Sequence, residues 1–155
     1  MGSEREYPRQ ETFAVSLRVW HPTISAQEMA DSLSLRRTRI CVAGQPRVTP
    51  TGTPLNGVYP DNFYVGQVIE RDEFDAPEFD RDLQACIQLG LNRLEPSLDG
   101  IRRLRDAGAR LELFVGWIVR GNGGVELEPV LLGRLSDLGI TLSLDVYGKS
   151  AIHEE

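Results

Sequence analysis

The chain is 155 residues long, 41% hydrophobic and 26% charged, which fits one globular domain spanning residues 1–155 with enough length to bury a core. Seventeen Arg and Lys against 23 Asp and Glu leave a net charge of −6, so nucleic-acid backbones and anionic membranes are disfavoured partners. No apolar run approaches the roughly 20 residues that span a bilayer, the N-terminus lacks a signal-peptide core, and two cysteines, Cys41 and Cys86, point to a reduced, cytoplasmic setting.

Residues 1–11 are polar and expected to fray. Thr12–Trp20 then alternates: Phe13, Val15, Leu17 and Val19 face one side, Ser16, Arg18 and Trp20 the other. A period of two predicts a strand with one buried face. His21-Pro22-Thr23 breaks it. Ser25-Ala-Gln-Glu28 has the spacing of a capping box, with Ile24 and Met29 placed as a hydrophobic staple, and predicts a helix to about Ser32. Ile40–Val42 is a candidate short strand.

Residues 44–62 hold four prolines and three glycines and are predicted to form a long loop. A strand is predicted over Phe63–Arg71, with Phe63, Val65 and Ile69 on one face. From Phe79 the period changes. Phe79, Leu83, Cys86, Ile87, Leu91 and Leu94 form one helical stripe, which makes Cys86 a small core residue. Ser97 is expected to cap a second helix with Leu98, Ile101 and Leu104 inward, ending near Gly108.

Arg110–Val119 is the next strand, its Leu111, Leu113, Val115 and Trp117 opposed to Glu112 and Phe114. Pro129 suits the first turn of a last helix with Leu131, Leu132, Leu135 and Leu138 inward, and Gly139 ends it. Thr141–Tyr147 is the final strand, with Leu142, Leu144 and Val146 inward; residues 149–155 are expected to be loosely held. A strand, a turn and a short helix recur at 13–35 and 111–140, which suggests two similar strand–helix halves.

This order, β-α-β-β-α-α-β-α-β, defines an α+β fold: an antiparallel-dominated sheet with helices on one face, compatible with a ferredoxin-like core. Three stretches carry a resemblance: F-A-V-S-L-R-V-W with I-S-A-Q-E-M-A-D-S-L-S-L, then L-R-D-A-G-A-R-L-E-L-F-V-G-W, then L-S-D-L-G-I-T-L-S-L-D-V-Y-G. Together they resemble the bacterial family of unknown function DUF4279 across most of residues 12–148. The resemblance implies a small bacterial α+β domain and brings no catalytic residues with it.

The alternation leaves one sheet face open and semi-polar. Arg18, Trp20, Phe114, Asp145 and Tyr147, with His21 and Trp117 near the strand ends, are the candidate binding residues, since aromatics and arginine dominate binding hot spots. Against them stands a face covered by a second copy or by the 44–62 loop.

Gly121-Asn122-Gly123-Gly124 lacks phosphate-loop spacing and reads as a turn. The acids Asp72, Glu73, Asp75, Glu78, Asp80 and Asp82 lack calcium-loop order and read as a solvated helix start. Arg102, Arg103, Arg105 and Arg110 read as a solvated helix face. His21 and His153 are far apart, and no triad, nucleophile elbow or zinc helix is present. His21, beside Pro22, reads as a turn residue.

No catalytic residue, metal or cofactor is therefore expected, and an enzyme is the minority reading. The leading expectation is a protein-interaction module, of which an immunity protein would be one kind. A small-ligand domain, with its ligand between the 44–62 loop and the Trp20/Trp117/Tyr147 end of the sheet, is the alternative. A homodimer is compatible with either.

Overall fold

Alternation along one stretch builds the centre of the molecule. In β1 (Glu11–His21), Phe13, Val15, Leu17 and Val19 are fully buried, each contributing about 1.5–3 kcal/mol relative to an exposed side chain. Both edges of β1 are paired antiparallel, one to β5 (Asn62–Ile69) and the other to β6 (Arg110–Arg120). The computed structural model describes residues 11–71, 73, 82–120 and 124–149. Residues 1–10, 150–155 and the glycine run at 121–123 lie outside them, as do Phe79 and the acids Asp72, Asp75, Glu78 and Asp80.

Two further strands complete the sheet. β2 (Arg36–Cys41) pairs antiparallel with β5, and β7 (Ile140–Lys149) pairs parallel with β6, giving the order β2-β5-β1-β6-β7. The helices α1 (Ala26–Ser32), α2 (Leu83–Arg93), α3 (Leu98–Asp106) and α4 (Pro129–Leu138) share one core with the inward residues of β1 and β6. The fold is α+β, with a mostly antiparallel sheet and helices on one face. No helix among the described residues is long and apolar enough to cross a membrane.

Several local signals act as expected. Ser25 Oγ accepts from the Glu28 N–H at 3.1 Å and starts α1. The expected stripe of α2 is buried at Leu83, Cys86, Ile87 and Leu91, and the helix begins at a cap that the pattern did not single out, Asp82 Oδ1 accepting from the Ala85 N–H at 2.7 Å. Burial pushes the Cys86 thiol up to about 12, so it is packing rather than chemistry. Pro129 opens α4 and Gly139 closes it in the left-handed conformation, φ 66°. The two strand–helix halves differ in how they return: α4 leads to the adjacent strand β7, whereas α1 leads to β2, with β5 between β2 and β1.

Other expectations are corrected. The 44–62 segment is not a structureless loop but carries a two-stranded ribbon, β3 (Pro46–Val48) and β4 (Pro54–Val58). Pro46 and Pro54 each open a strand, where a missing donor costs no ladder bond. Gly52, at φ 91°, closes the turn with its N–H to the Thr49 carbonyl oxygen at 2.9 Å. β2 begins at Arg36 rather than Ile40, so the basic run lies on an edge strand; charges there are a common guard against sheet-to-sheet pairing.

In β5 the buried residues are Tyr64, Gly66, Val68 and Ile69, and Phe63 and Val65 lie on the opposite face. The register shifts where Ile69 faces Val15 and Gln67 faces Ser16, so Val68 is an extra residue that breaks the period of two. Ser97 Oγ makes no helix cap and instead accepts from the Ser34 N–H at 2.8 Å. Leu132 is 45% exposed, one position off the Leu131 and Leu135 stripe of α4. Leu144 and Val146 stand on the helix side opposite Val115 and Trp117, yet remain 39% and 50% exposed, because β7 is the sheet edge.

Two glycines on different helices should respond oppositely to alanine. A Cβ on Gly100 would lie 1.8 Å from the Ser32 backbone oxygen, where α3 crosses α1. Gly100→Ala is expected to lose about 1–3 kcal/mol by overpacking, whereas Gly133→Ala, with open space around it, should gain about 0.5–1 kcal/mol. Urea unfolding of both variants checks this.

Glu73 supplies a pH test. Its carboxylate accepts from Arg93 Nη1 at 2.8 and 2.9 Å and from the Glu70 N–H at 2.7 Å. Chiefly through Arg93, this holds the carboxyl below its ordinary value. A lowered folded value adds stability above the ordinary carboxyl range that is lost as pH falls through the folded value. Wild type should exceed Glu73→Gln in urea midpoint at pH 7, and the gap should close at acid pH; a gap constant with pH would refute the pairing.

Candidate functional site

The register of β1 assembles a row of stacked groups across the open face. Trp20 lies opposite Phe63 on one side and Arg110 on the other. The Trp20 and Phe63 rings stack at 4.9 Å between centroids, 23° from parallel. The Arg110 guanidinium covers Trp20 at 4.2 Å, and that of Arg39 lies 6.0 Å from Phe63. One step along the strands, Arg18 lies 3.5 Å over Phe114. Cation–aromatic contacts of this kind contribute roughly 0.5–2 kcal/mol each.

The β3–β4 ribbon is held beside this row by specific bonds. The Tyr59 hydroxyl accepts from the Val48 N–H and donates to the Val48 carbonyl oxygen, both at 3.0 Å. Arg39 Nη2 donates to the same carbonyl at 3.0 Å and to the Tyr59 hydroxyl at 3.4 Å. At the ribbon's base, Asn62 accepts from the Ala43 N–H and donates to the Ile24 carbonyl oxygen, each at 2.9 Å. Between ribbon and sheet lies a cleft of about 450 Å³. Its floor is the Trp20–Phe63 pair, its apolar wall includes Val48 and Leu55, and Arg39, Arg47 and Arg110 line it together with Asp61.

A carboxylate sits beneath the row. Glu112 is 7% exposed and lies 3.8 Å from Arg18 and 3.4 Å from Arg110. Burial lowers the Arg18 pKa, opposed by Glu112 and reinforced by the like charge of Arg39. Arg18 Nε is buried without a hydrogen-bond partner among the described residues. At the other end of the face the Tyr147 hydroxyl donates to Asp145, which raises its pKa. No group of three or more metal-ligating side chains occurs among the described residues.

The structure divides the seven candidate residues. Arg18, Trp20, Phe114, Asp145 and Tyr147 lie on the open face, as their alternation predicts. They are not one cluster: Trp20 pairs with Arg110 and Tyr147 with Ile118, eight residues along β6 and so roughly 26 Å apart. Trp117 is in the helix-side core at the Tyr147 end, stacked on Phe13 at 6.0 Å, so Trp20, Trp117 and Tyr147 do not share an end. His21 ends β1, and its ring holds the turn that follows. Its Nδ1 accepts from the Thr23 and Ile24 N–H groups at 3.0 and 2.8 Å, and its Nε2 donates to the Ala107 carbonyl oxygen at 2.9 Å.

Sequence reasoning missed the rest of the cleft. Alternation groups Phe63 and Val65 with Ile69, but the extra residue in β5 puts Ile69 in the core and leaves Phe63 and Val65 on the open face. Arg110 opens β6 as expected, but its guanidinium covers Trp20 instead of belonging to the solvated helix face of Arg102, Arg103 and Arg105. Arg39, Arg47 and Tyr59 come together only through the ribbon, and no local pattern marks them.

These features define an α+β domain with an open sheet face and an arginine-rich aromatic cleft under a β-ribbon. A family model described as a domain of unknown function (DUF4279) matches residues 10–149, and the chain belongs to that family. No curated protein and no solved structure matches it.

Glu112 should be the structural keystone of the face. Glu112→Ala would leave Arg18 and Arg110 without their shared carboxylate and is expected to cost about 1–3 kcal/mol. Asp145→Ala, at the exposed end, should change stability by less than about 0.5 kcal/mol. Comparable urea midpoints for the two variants would contradict this assignment.

Proposed function

We propose that the protein is a non-catalytic binding domain that takes a small ligand in the cleft between the β3–β4 ribbon and the Trp20–Phe63 row. The observation that carries this reading is the cleft itself. It is concave, about 450 Å³, and combines apolar walls with a few convergent polar groups. Ligand sites typically run roughly 300–1,000 Å³ with that same mixture. Free, buried cysteines at positions 41 and 86 suit a reducing compartment such as the cytoplasm.

A second reading has its own support. The open face carries Arg18 on Phe114 and the Asp145–Tyr147 pair, uncovered by any helix among the described residues, and residues of these kinds anchor protein partners. A protein-interaction module working through this face, as an immunity protein would, should lose binding on charge reversal at Arg18 and Asp145 while keeping any cleft ligand.

The two tryptophans separate the readings. Trp20 floors the cleft, and Trp117 is in the core on the opposite side of the sheet. In ¹H–¹⁵N spectra recorded against a diverse small-molecule fragment set, binding compounds should shift the Trp20 indole and leave that of Trp117 in place. Trp20→Ala should weaken those compounds at least tenfold, and Tyr147→Ala should leave them unchanged. Compounds that bind only around Asp145 and Tyr147, or none at all, would refute the cleft as a ligand site.

A further inference from the structure

Resting on the reading of the cleft as a ligand site, we infer that its ligand is a small organic anion: a carboxylate or phosphate ester attached to an apolar body. The charge balance of the cleft is the first argument. Among the described residues Arg39 and Arg47 are hydrogen-bonded only to neutral groups, Arg39 to Val48 and Tyr59 and Arg47 to the Asn56 carbonyl oxygen at 3.3 Å. Neither forms an ion pair among the described residues.

The chain has a surplus of acids, with a net charge of −6, yet several of those among the described residues pair with arginines away from the cleft. Glu70 pairs with Arg36, Glu73 with Arg93 and Asp99 with Arg102. Of the charged side chains that line the cleft, three guanidiniums, Arg39, Arg47 and Arg110, stand with one carboxylate, Asp61, while Glu112 is shared between Arg110 and Arg18 outside the lining. The cleft is a locally positive site on an acidic protein. Low-dielectric walls focus such a field on whatever enters.

The stacking is the second argument. Phe63 and Arg110 come from strands on opposite sides of β1, so Trp20 is covered on one side by a ring and on the other by a guanidinium. Arg39 stands at the far side of Phe63. With their faces occupied in this way, the rings offer the cleft their edges, which carry the positive part of the aromatic quadrupole. Ring edges bracketed by guanidiniums favour an anion and repel a cation. Val48 and Leu55 on the ribbon, both partly exposed, supply apolar surface for the body of the ligand. Guanidinium donors match the oxygens of carboxylates and phosphates.

One ring system bearing different groups tests this. The probes are 2-naphthoate, 2-naphthyl phosphate, the neutral 2-naphthamide and the cationic 2-naphthylmethylamine, titrated against the full chain with Trp20 indole shifts as the readout. The expected result is that one or both anions bind at least tenfold more tightly than the amide, with no binding of the amine. Which of the two anions binds better identifies the headgroup.

Arg47→Gln should weaken the anions at least fivefold, and Arg47→Lys should retain most of the affinity. Raising the salt concentration should weaken them as well, since the site is open to solvent. If the amide matches the anions at the Trp20 resonance, the anion assignment is overturned while the ligand site stands. If no probe shifts Trp20, both fail. If the anions bind but ignore Arg47→Gln and salt, the charge argument is wrong.

Discussion

The double pairing of β1 is the constraint on which the rest depends. Its inward residues are all fully buried and its outward ones include Arg18 and Trp20, so a slip of one residue against β5 or β6 would exchange the two sets. That exchange would place a guanidinium in the core and four large apolar side chains in water, a penalty comparable to the whole stability of a typical domain. Core burial therefore fixes the register. The same register brings Phe63, Trp20 and Arg110 level with one another, so the row beneath the cleft is a consequence of packing on the opposite side of the sheet.

The extra residue in β5 shows how this constraint is met where the pattern breaks. Past Gly66 the strand gains Val68, and the Gln67 amide donates to the Val15 and Ile69 carbonyl oxygens at 3.3 and 2.6 Å. Those bonds satisfy backbone groups that the shifted ladder would otherwise leave open. Gly66 itself has no room for a side chain: a Cβ would lie 2.6 Å from the Tyr64 hydroxyl and 2.9 Å from Leu35. The irregularity is thus packed and hydrogen-bonded. It lets β5 present Tyr64 and Ile69 to one side while keeping Phe63 on the other.

What the sequence revealed follows from the range of the forces involved. Alternation in β1 and β6, the Ser25 start, and Pro129 with Gly139 are set by contacts within a few residues, and each could be read directly. Phe63 could not, because its face depends on a bulge five residues downstream. Leu144 and Val146 have the alternation of a buried strand, but they stand at an edge, and strand order is a non-local property. The ribbon was hidden because proline and glycine suggest a loop, although here they mark strand starts and turns. The cleft combined all these difficulties: Arg39 and Arg47 meet Trp20 only once the ribbon, the bulge and the register are all in place.

The distribution of partners across the open face bears on where binding occurs. In its middle, Arg18 is committed to Phe114 and Glu112, and towards β7 Asp145 is committed to Tyr147. A partner docking there would replace interactions already made, so the gain from each new contact is reduced by the one it displaces. In the cleft the situation differs. Arg39 and Arg47 form no ion pair among the described residues, and the bonds they do make hold the ribbon in position. A group that is fixed in place yet electrostatically unpaired gives an incoming anion attraction at little ordering cost. The two properties that make a site, preorganisation and unspent interaction, coincide under the ribbon and are separated elsewhere on the face.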